Sequence, residues 1–201
     1  MSGKIKLQGR YRRIAEKLLK RITGVLYSCG IPYWLDYGTL LGIVREQRLL
    51  PWDSDMDISI ARKDLDRLLA NLWRFRIRGY KVRIRYHRQD DHPLKKGSVR
   101  LIKIFNRKYL VARGDVMLDI FVNTRVEEAY TLVMGIKNYT RFSVPAHYFD
   151  NLGTIRFRDR PYSVPAEYEE YLAYRYGDWR TPREDWNFYK DDLAISNSDQ
   201  T

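Results

Sequence analysis

Asp55-Met56-Asp57-Ile58-Ser59-Ile60 alternates strictly between polar and apolar side chains. Successive side chains of a strand point to opposite faces, so Met56, Ile58 and Ile60 are expected to face a core while Asp55, Asp57 and Ser59 share the other side. Two carboxylates at i and i+2 lie about 7 Å apart along a strand, and both can offer oxygens to one hard cation. Acids in this pattern also occur simply solvated. The apolar half of the repeat separates the two readings: on a buried-type strand, like charges raise each other's pKa and cost stability unless a cation neutralises them.

Upstream, Ile14, Ala15, Leu18, Leu19, Ile22, Val25, Leu26 and Cys29 recur at helical spacing, with Gly30 and Pro32 placed to end the helix over 11–29. Tyr33-Trp34-Leu35 then reads as a short strand that leads through Asp36-Tyr37 into Gly38-Thr39 and a second helix from Leu40 to Arg45. Glycine lets backbone approach a ligand, and a threonine cap would leave helix N-terminal amides aimed at an anion, so this turn is a candidate phosphate cradle; alone, it is also an ordinary capping turn. Arg45 adds positive charge there or serves as a helix-end cation. Trp52 is expected to pack beneath the acidic strand, with stacking on a base as the alternative.

Downstream, 62–78 is helical in pattern, Lys81 to His87 alternates as a strand, and 89–97 is a polar turn. Strands follow near Val99–Phe105 and Asp115–Val122. In the second of these Asp119 interrupts an apolar run, and a buried acid requires a partner. It becomes a third metal ligand, or the base for an attacking hydroxyl, if its strand lies beside Asp55–Ile60; otherwise it pairs with a buried Arg or Lys. The last third offers a strand at 154–157 and a helix over 166–176 ended by Gly177, whose tyrosines Tyr168, Tyr171, Tyr174 and Tyr176 are expected to pack. No repeat or linker divides the chain. The expectation is an α+β domain over 11–190, a mixed β-sheet covered by helices, with flexible ends at 1–10 and 191–201.

Composition bounds the function. The 201 residues are 44% apolar and 14% aromatic, enough for a real core. A net charge of +12 favours anionic partners, and the excess is concentrated between Arg74 and Lys108. Cys29 is the one cysteine, no charged-then-apolar leader is visible and no run of about 20 apolar residues occurs, so a cytoplasmic protein is expected, with contact at a membrane surface still allowed. His87 and His92 have no third nitrogen or sulfur partner, which argues against zinc.

The stretch Leu35-Asp36-Tyr37-Gly38-Thr39-Leu40-Leu41-Gly42-Ile43-Val44-Arg45, followed by Pro51-Trp52-Asp53-Ser54-Asp55-Met56-Asp57-Ile58, resembles the signature of the LicD family, which includes bacterial phosphocholine transferases and fukutin-like enzymes within the nucleotidyltransferase superfamily. Leu118-Asp119-Ile120-Phe121 resembles its later acidic strand, and Tyr176-Gly177-Asp178-Trp179 with Pro182 its C-terminal segment. The resemblance implies a nucleotidyltransferase-like fold. It implies transfer of a phosphorylated group, phosphocholine or a phospho-alditol, from a CDP-linked donor to the hydroxyl of a glycan acceptor, free or lipid-linked. Asp55, Asp57 and Asp119 would be the catalytic carboxylates and ligands of Mg2+ or Mn2+, with Gly38, Thr39 and Arg45 at the donor phosphates. Ser54 stands where the family often has another acid, and Asp53 can compensate. The alternative within the superfamily is transfer of a nucleotide from an NTP to RNA, a sugar or a protein. A noncatalytic RNA-binding module is disfavoured, since negative charge at a phosphate site gains a pure binder nothing.

Overall fold

In the computed structural model, which describes residues 5–108, 112–135, 139–183 and 186–196, the apolar half of the opening repeat is sealed: Met56, Ile58 and Ile60 have no solvent exposure. They lie in β2 (Asp55–Ala61), which runs parallel to β5 (Ala112–Val126) with Asp57 opposite Asp119. On its other side β2 pairs antiparallel with β1 (Trp34–Leu35). Beyond β5 come β4 (Val99–Lys108) and the edge strand β3 (Lys81–Tyr86), both antiparallel. Directly paired residues share a face. The carboxylate side and the apolar side of β2 therefore continue across β1-β2-β5-β4-β3.

The far end of β5 leaves this array. Thr124–Val126 pair with β6 (Ala129–Met134), followed by β7 (Thr140–Pro145) and β10 (Ile195–Ser196), all antiparallel. Among the described residues these eight strands form one sheet, and β8 (Leu152–Phe157) with β9 (Arg160–Pro165) forms a separate hairpin. A parallel pair set in an otherwise antiparallel array is the mixed α+β arrangement the sequence led us to expect.

Helix α1 (Gly9–Ser28) buries Ala15, Leu18, Leu19, Ile22 and Leu26, and its stripe joins Ile102, Ile104, Leu118 and Ile120 in one core. Each such side chain contributes about 1.5–3 kcal/mol by leaving water. The helical reading over 62–78 is corrected in detail. Arg62–Asp64 is a 3-10 turn, and the rest divides into α3 (Leu65–Ala70) and α4 (Leu72–Arg76). The break falls at Asn71, whose amide donates to the Arg67 carbonyl and whose carboxamide oxygen accepts from Arg74, local bonds that compete with a continuous helix. The ends expected to be flexible, 1–10 and 191–201, contain residues that take part in the fold. Leu7 is buried with its N–H donating to the Asp53 carbonyl, α1 begins at Gly9, and Ile195–Ser196 pair with β7; residues 1–4 and 197–201 lie outside the described residues.

Candidate active site

The strand registers place Asp57, Asp119 and Lys103 side by side on β2, β5 and β4. Asp36, just past β1, joins the row by donating its N–H to the Asp57 carbonyl at 3.2 Å. Carboxylate oxygens of Asp55, Asp57 and Asp119 lie within 4.8 Å of one another. The two strands predicted separately to carry acids are thus neighbours, which brings all three acids together. Lys103 was not singled out from sequence; its Nζ donates to Asp119 Oδ2. Asp119 therefore has a half-buried lysine partner and at the same time faces the other acids.

The electrostatics favour an additional cation. Asp57 is raised well above the ordinary carboxylate range, first by burial and then by Asp55, Asp119, Asp53 and Asp36. Asp55 is raised by burial, opposed by Lys103. Asp119 is pushed up to about 6 by burial, with Lys103 pulling the other way. Lys103 satisfies only one oxygen of Asp119, and Oδ1 remains buried with no hydrogen-bond donor. Three hard oxygen donors, one of them orphaned, suit a divalent cation of the magnesium class. Among the described residues this is the one group of three metal-ligating side chains close enough to share an ion.

The turn above the acids differs from the expected cap. Helix α2 (Tyr37–Glu46) begins three residues earlier, with Asp36 as N-cap accepting from the Tyr37 N–H at 2.9 Å. Thr39 is inside the first turn, and its hydroxyl accepts from the Asp57 N–H at 2.8 Å, locking α2 onto the acidic strand. Tyr37 takes φ 48°, a left-handed conformation disfavoured for a bulky residue, stored here beside the site. The spacing of Gly38 and Gly42 also has a cause. A Cβ at Gly38 would collide with the Asp53 carboxylate, and one at Gly42 would lie 2.7 Å from the Arg48 carbonyl and 3.0 Å from the Leu50 nitrogen. The two glycines on one face of α2 admit the 48–53 loop that delivers Asp53.

Asp53 is pushed up to about 7 by burial and by Asp55, against Arg45. Gly38→Ala should fold with nearly unchanged stability, since only the Asp53 side chain must rotate and alanine suits a helix. Transfer and metal affinity should fall roughly tenfold or more, the size of effect seen when a group supporting metal ligands is displaced. Titration with Mn2+ checks this; unchanged affinity would remove Asp53 from the site.

Arg45 lies in the last turn of α2, at the opposite end from Gly38. Its guanidinium donates to the Trp179 carbonyl at 3.2 Å and to Glu46 at 2.9 Å. It serves as a helix-end cation that anchors the C-terminal segment. Trp52 does not pack beneath the strand: it is 49% exposed, with Arg45 5.9 Å above its ring. A rigid aromatic face is therefore left open beside Asp53.

Sequence reading missed the layer that holds Asp36. Its Oδ1 accepts from Tyr171 at 2.5 Å and its Oδ2 from Ser59 at 2.6 Å. Tyr171 and Arg175 come from α6 (Tyr168–Tyr176). Arg175 lies 3.5 Å from Asp36, donates to the Tyr171 hydroxyl at 2.9 Å and forks onto Asp192. All of these groups are buried. His87 is buried too, but it faces Arg62 and Arg100 and is pushed down to about 4, first by burial, so it carries no charge at neutral pH.

Comparison with known proteins gives several relatives. Ribitol-5-phosphate transferase FKTN of Macaca fascicularis is 27% identical over 182 residues, 89% of this chain and 36% of that protein. An uncharacterized protein of Rickettsia typhi is 38% identical over 129 residues, 61% of this chain and 35% of that protein. The chain spans about a third of the length of these relatives. Among solved structures, the lincosamide antibiotic adenylyltransferase LnuA aligns with TM-score 0.48 and 16% identity over 78% of this chain and 84% of that one. The family described as LicD/FKTN/FKRP, nucleotidyltransferase domain, matches residues 30–167, a span that begins before Asp36 and runs past Asp119, and this chain belongs to that family.

Proposed function

We propose that this chain is a metal-dependent phosphotransferase that moves a phosphorylated group, phosphocholine or a phospho-alditol, from a CDP-linked donor to a glycan hydroxyl. The observation that carries the reading is the convergence of Asp55, Asp57 and Asp119, with an unpartnered oxygen on Asp119. Membership of a family whose members include ribitol-5-phosphate transferases supports the kind of group transferred.

Asp55, Asp57 and Asp119 would hold Mg2+ or Mn2+, which when bound neutralises charge on the donor's phosphates. The remaining work falls to the chain. Thr39 fixes the backbone of Asp57, and Gly38 keeps the helix start small enough for Asp53 and for a donor phosphate. Lys103 pins Asp119 Oδ2 and leaves Oδ1 for the cation, while a carboxylate of the cluster takes the proton of the attacking hydroxyl. The acceptor oxygen then bonds to the phosphorus of the transferred group. The P–O bond to the nucleotide breaks, its electron pair leaving with CMP. Trp52 offers a ring for the cytosine. Positioning and fixed charge supply most of the rate effect, as in phosphoryl transfer generally.

The test is CMP release from CDP-choline, CDP-ribitol and CDP-glycerol with Mg2+ or Mn2+, with and without EDTA. Release from one donor, abolished by EDTA, is expected. No release from any of them, together with a nucleotide left on an acceptor and pyrophosphate freed from CTP or ATP, would replace this reading with nucleotide transfer.

A further inference from the structure

The basic stretch of the chain is interrupted by a small apolar surface. From Arg67 to Gln89 there are seven Arg and one Lys and no Asp or Glu. Within that run α4 turns Leu72 and Phe75 inward, where both are buried, and packs against α1 and β3. Its outer side carries Trp73 and Ile77, 51% and 68% exposed. The Ile77 N–H donates to the Trp73 carbonyl at 2.9 Å, so the two residues stand one helical turn apart on one face. Single exposed apolar side chains are ordinary on a protein surface; two adjoining ones make a contiguous spot.

Cations frame this spot. Arg74 sets its guanidinium 5.1 Å from the Trp73 ring and is held there by donating to the Asn71 side chain at 3.0 Å. Arg78 donates to the Arg74 carbonyl at 2.7 Å, and Arg76 and Arg78 are both exposed. Past the turn, the Arg107 side chain lies against Gly79 and adds a further charge. Among the described residues no carboxylate forms an ion pair with Arg74, Arg76 or Arg78, so the protein leaves their charge uncompensated. An indole and an isoleucine bracketed by unpaired arginines match the two layers of a bilayer surface. The apolar pair enters the acyl boundary while the guanidiniums stay at the level of the headgroup phosphates.

We propose that Trp73 and Ile77, framed by Arg74, Arg76 and Arg78, dock this chain on an anionic membrane surface. Size separates a bilayer from a protein partner. A stable protein interface buries about 800 Å² per side, and two partly exposed side chains offer only a fraction of that. Chemistry separates a bilayer from nucleic acid, because an exposed isoleucine gains nothing from a sugar-phosphate backbone but gains from an apolar boundary, while each arginine is drawn to anionic headgroups. Helix α4 packs beside α1, which covers the apolar side of the sheet, so the docked surface lies across the sheet from the carboxylates. The proposal is independent of which group the carboxylate centre transfers.

The test is flotation of the full chain with vesicles of phosphatidylcholine alone and of phosphatidylcholine mixed with phosphatidylglycerol. Binding to the mixed vesicles only, weakened by added salt, is expected. Trp73→Ser with Ile77→Ser should weaken it by at least about tenfold, and Arg74→Gln with Arg76→Gln and Arg78→Gln by roughly a hundredfold. Trp73→Phe keeps most of the bulk and supplies a second readout: the blue shift of tryptophan emission that mixed vesicles produce in wild type should disappear. The control Leu193→Ser removes an apolar side chain of similar exposure, 63%, close to β10, and should change neither readout. No binding of wild type to mixed vesicles, unchanged binding in the Trp73→Ser, Ile77→Ser variant, or an equal loss in the control overturns the proposal. Poly(U) binding that falls as far as vesicle binding in that same variant assigns the surface to nucleic acid and also overturns it.

Discussion

Asp57→Asn should lower CMP release by about three orders of magnitude, a barrier increase of ~4 kcal/mol, while leaving the protein folded and at least as heat-stable as wild type. The two halves of this expectation have one origin. Asp57 is the most strongly perturbed acid of the cluster because burial and four other carboxylates oppose its charge. Asparagine keeps the shape and the backbone bond to Thr39 but removes that charge. A neutral amide is a poor ligand for a divalent cation and cannot balance charge at the phosphates. It also no longer repels Asp55 and Asp119, so the metal-free protein gains stability. Rate and melting temperature should therefore move in opposite directions. A variant that keeps its rate, or loses rate and melting temperature together, would show that Asp57 is structural.

Arg175→Ala should be the most damaging single change to stability, costing about 3–5 kcal/mol out of the 5–15 typical of a domain. Arg175 is 1% exposed and is the cation between Asp36 and Asp192, themselves 2% exposed each. Truncation leaves Asp36 and Asp192 buried without their cation. It also removes the guanidinium stacked 4.2 Å from the Tyr37 ring, over which the left-handed start of α2 is held. Arg175→Lys retains charge but loses the planar fork, and an intermediate loss is expected. Urea unfolding of both variants provides the check. A midpoint shift for Arg175→Ala worth less than about 1 kcal/mol, with unchanged slope, would mean that water already reaches the network.

Much of the carboxylate centre was legible because each strand announces it locally. Strict alternation at 55–60 identifies both the strand and its working face, and Asp119 is conspicuous in an apolar run. Lys103 could not be found this way, since it is one cation among many until the register sets it beside Asp119. Asp36 and Arg175 lie 139 positions apart and meet only when α6 docks, a contact no local periodicity encodes. The strands missed after residue 126 have a different cause. The turns joining β5 to β6 and β8 to β9 place Glu127 at φ 50° and Arg158 at φ 56°. Positive φ usually recruits Gly, Asn or Asp, and without them at those positions the hairpins carry no turn signature. Thr39 misled for a further reason: Asp36, three residues earlier, is as good a cap, and the hydroxyl had a partner on another strand.

The dependence of Asp36 on α6 also orders events during synthesis. Residues up to Asp119 leave the ribosome before α6 does, and with them come Asp36, Asp55, Asp57 and Asp119, four acids gathered with Lys103 as their nearest cation. The Tyr171 hydroxyl that seals Asp36 arrives 135 residues later, and Arg175 follows within the same helix. Until α6 emerges, the nascent sheet carries its negative charge largely uncompensated, so the centre closes only once the C-terminal third has been translated.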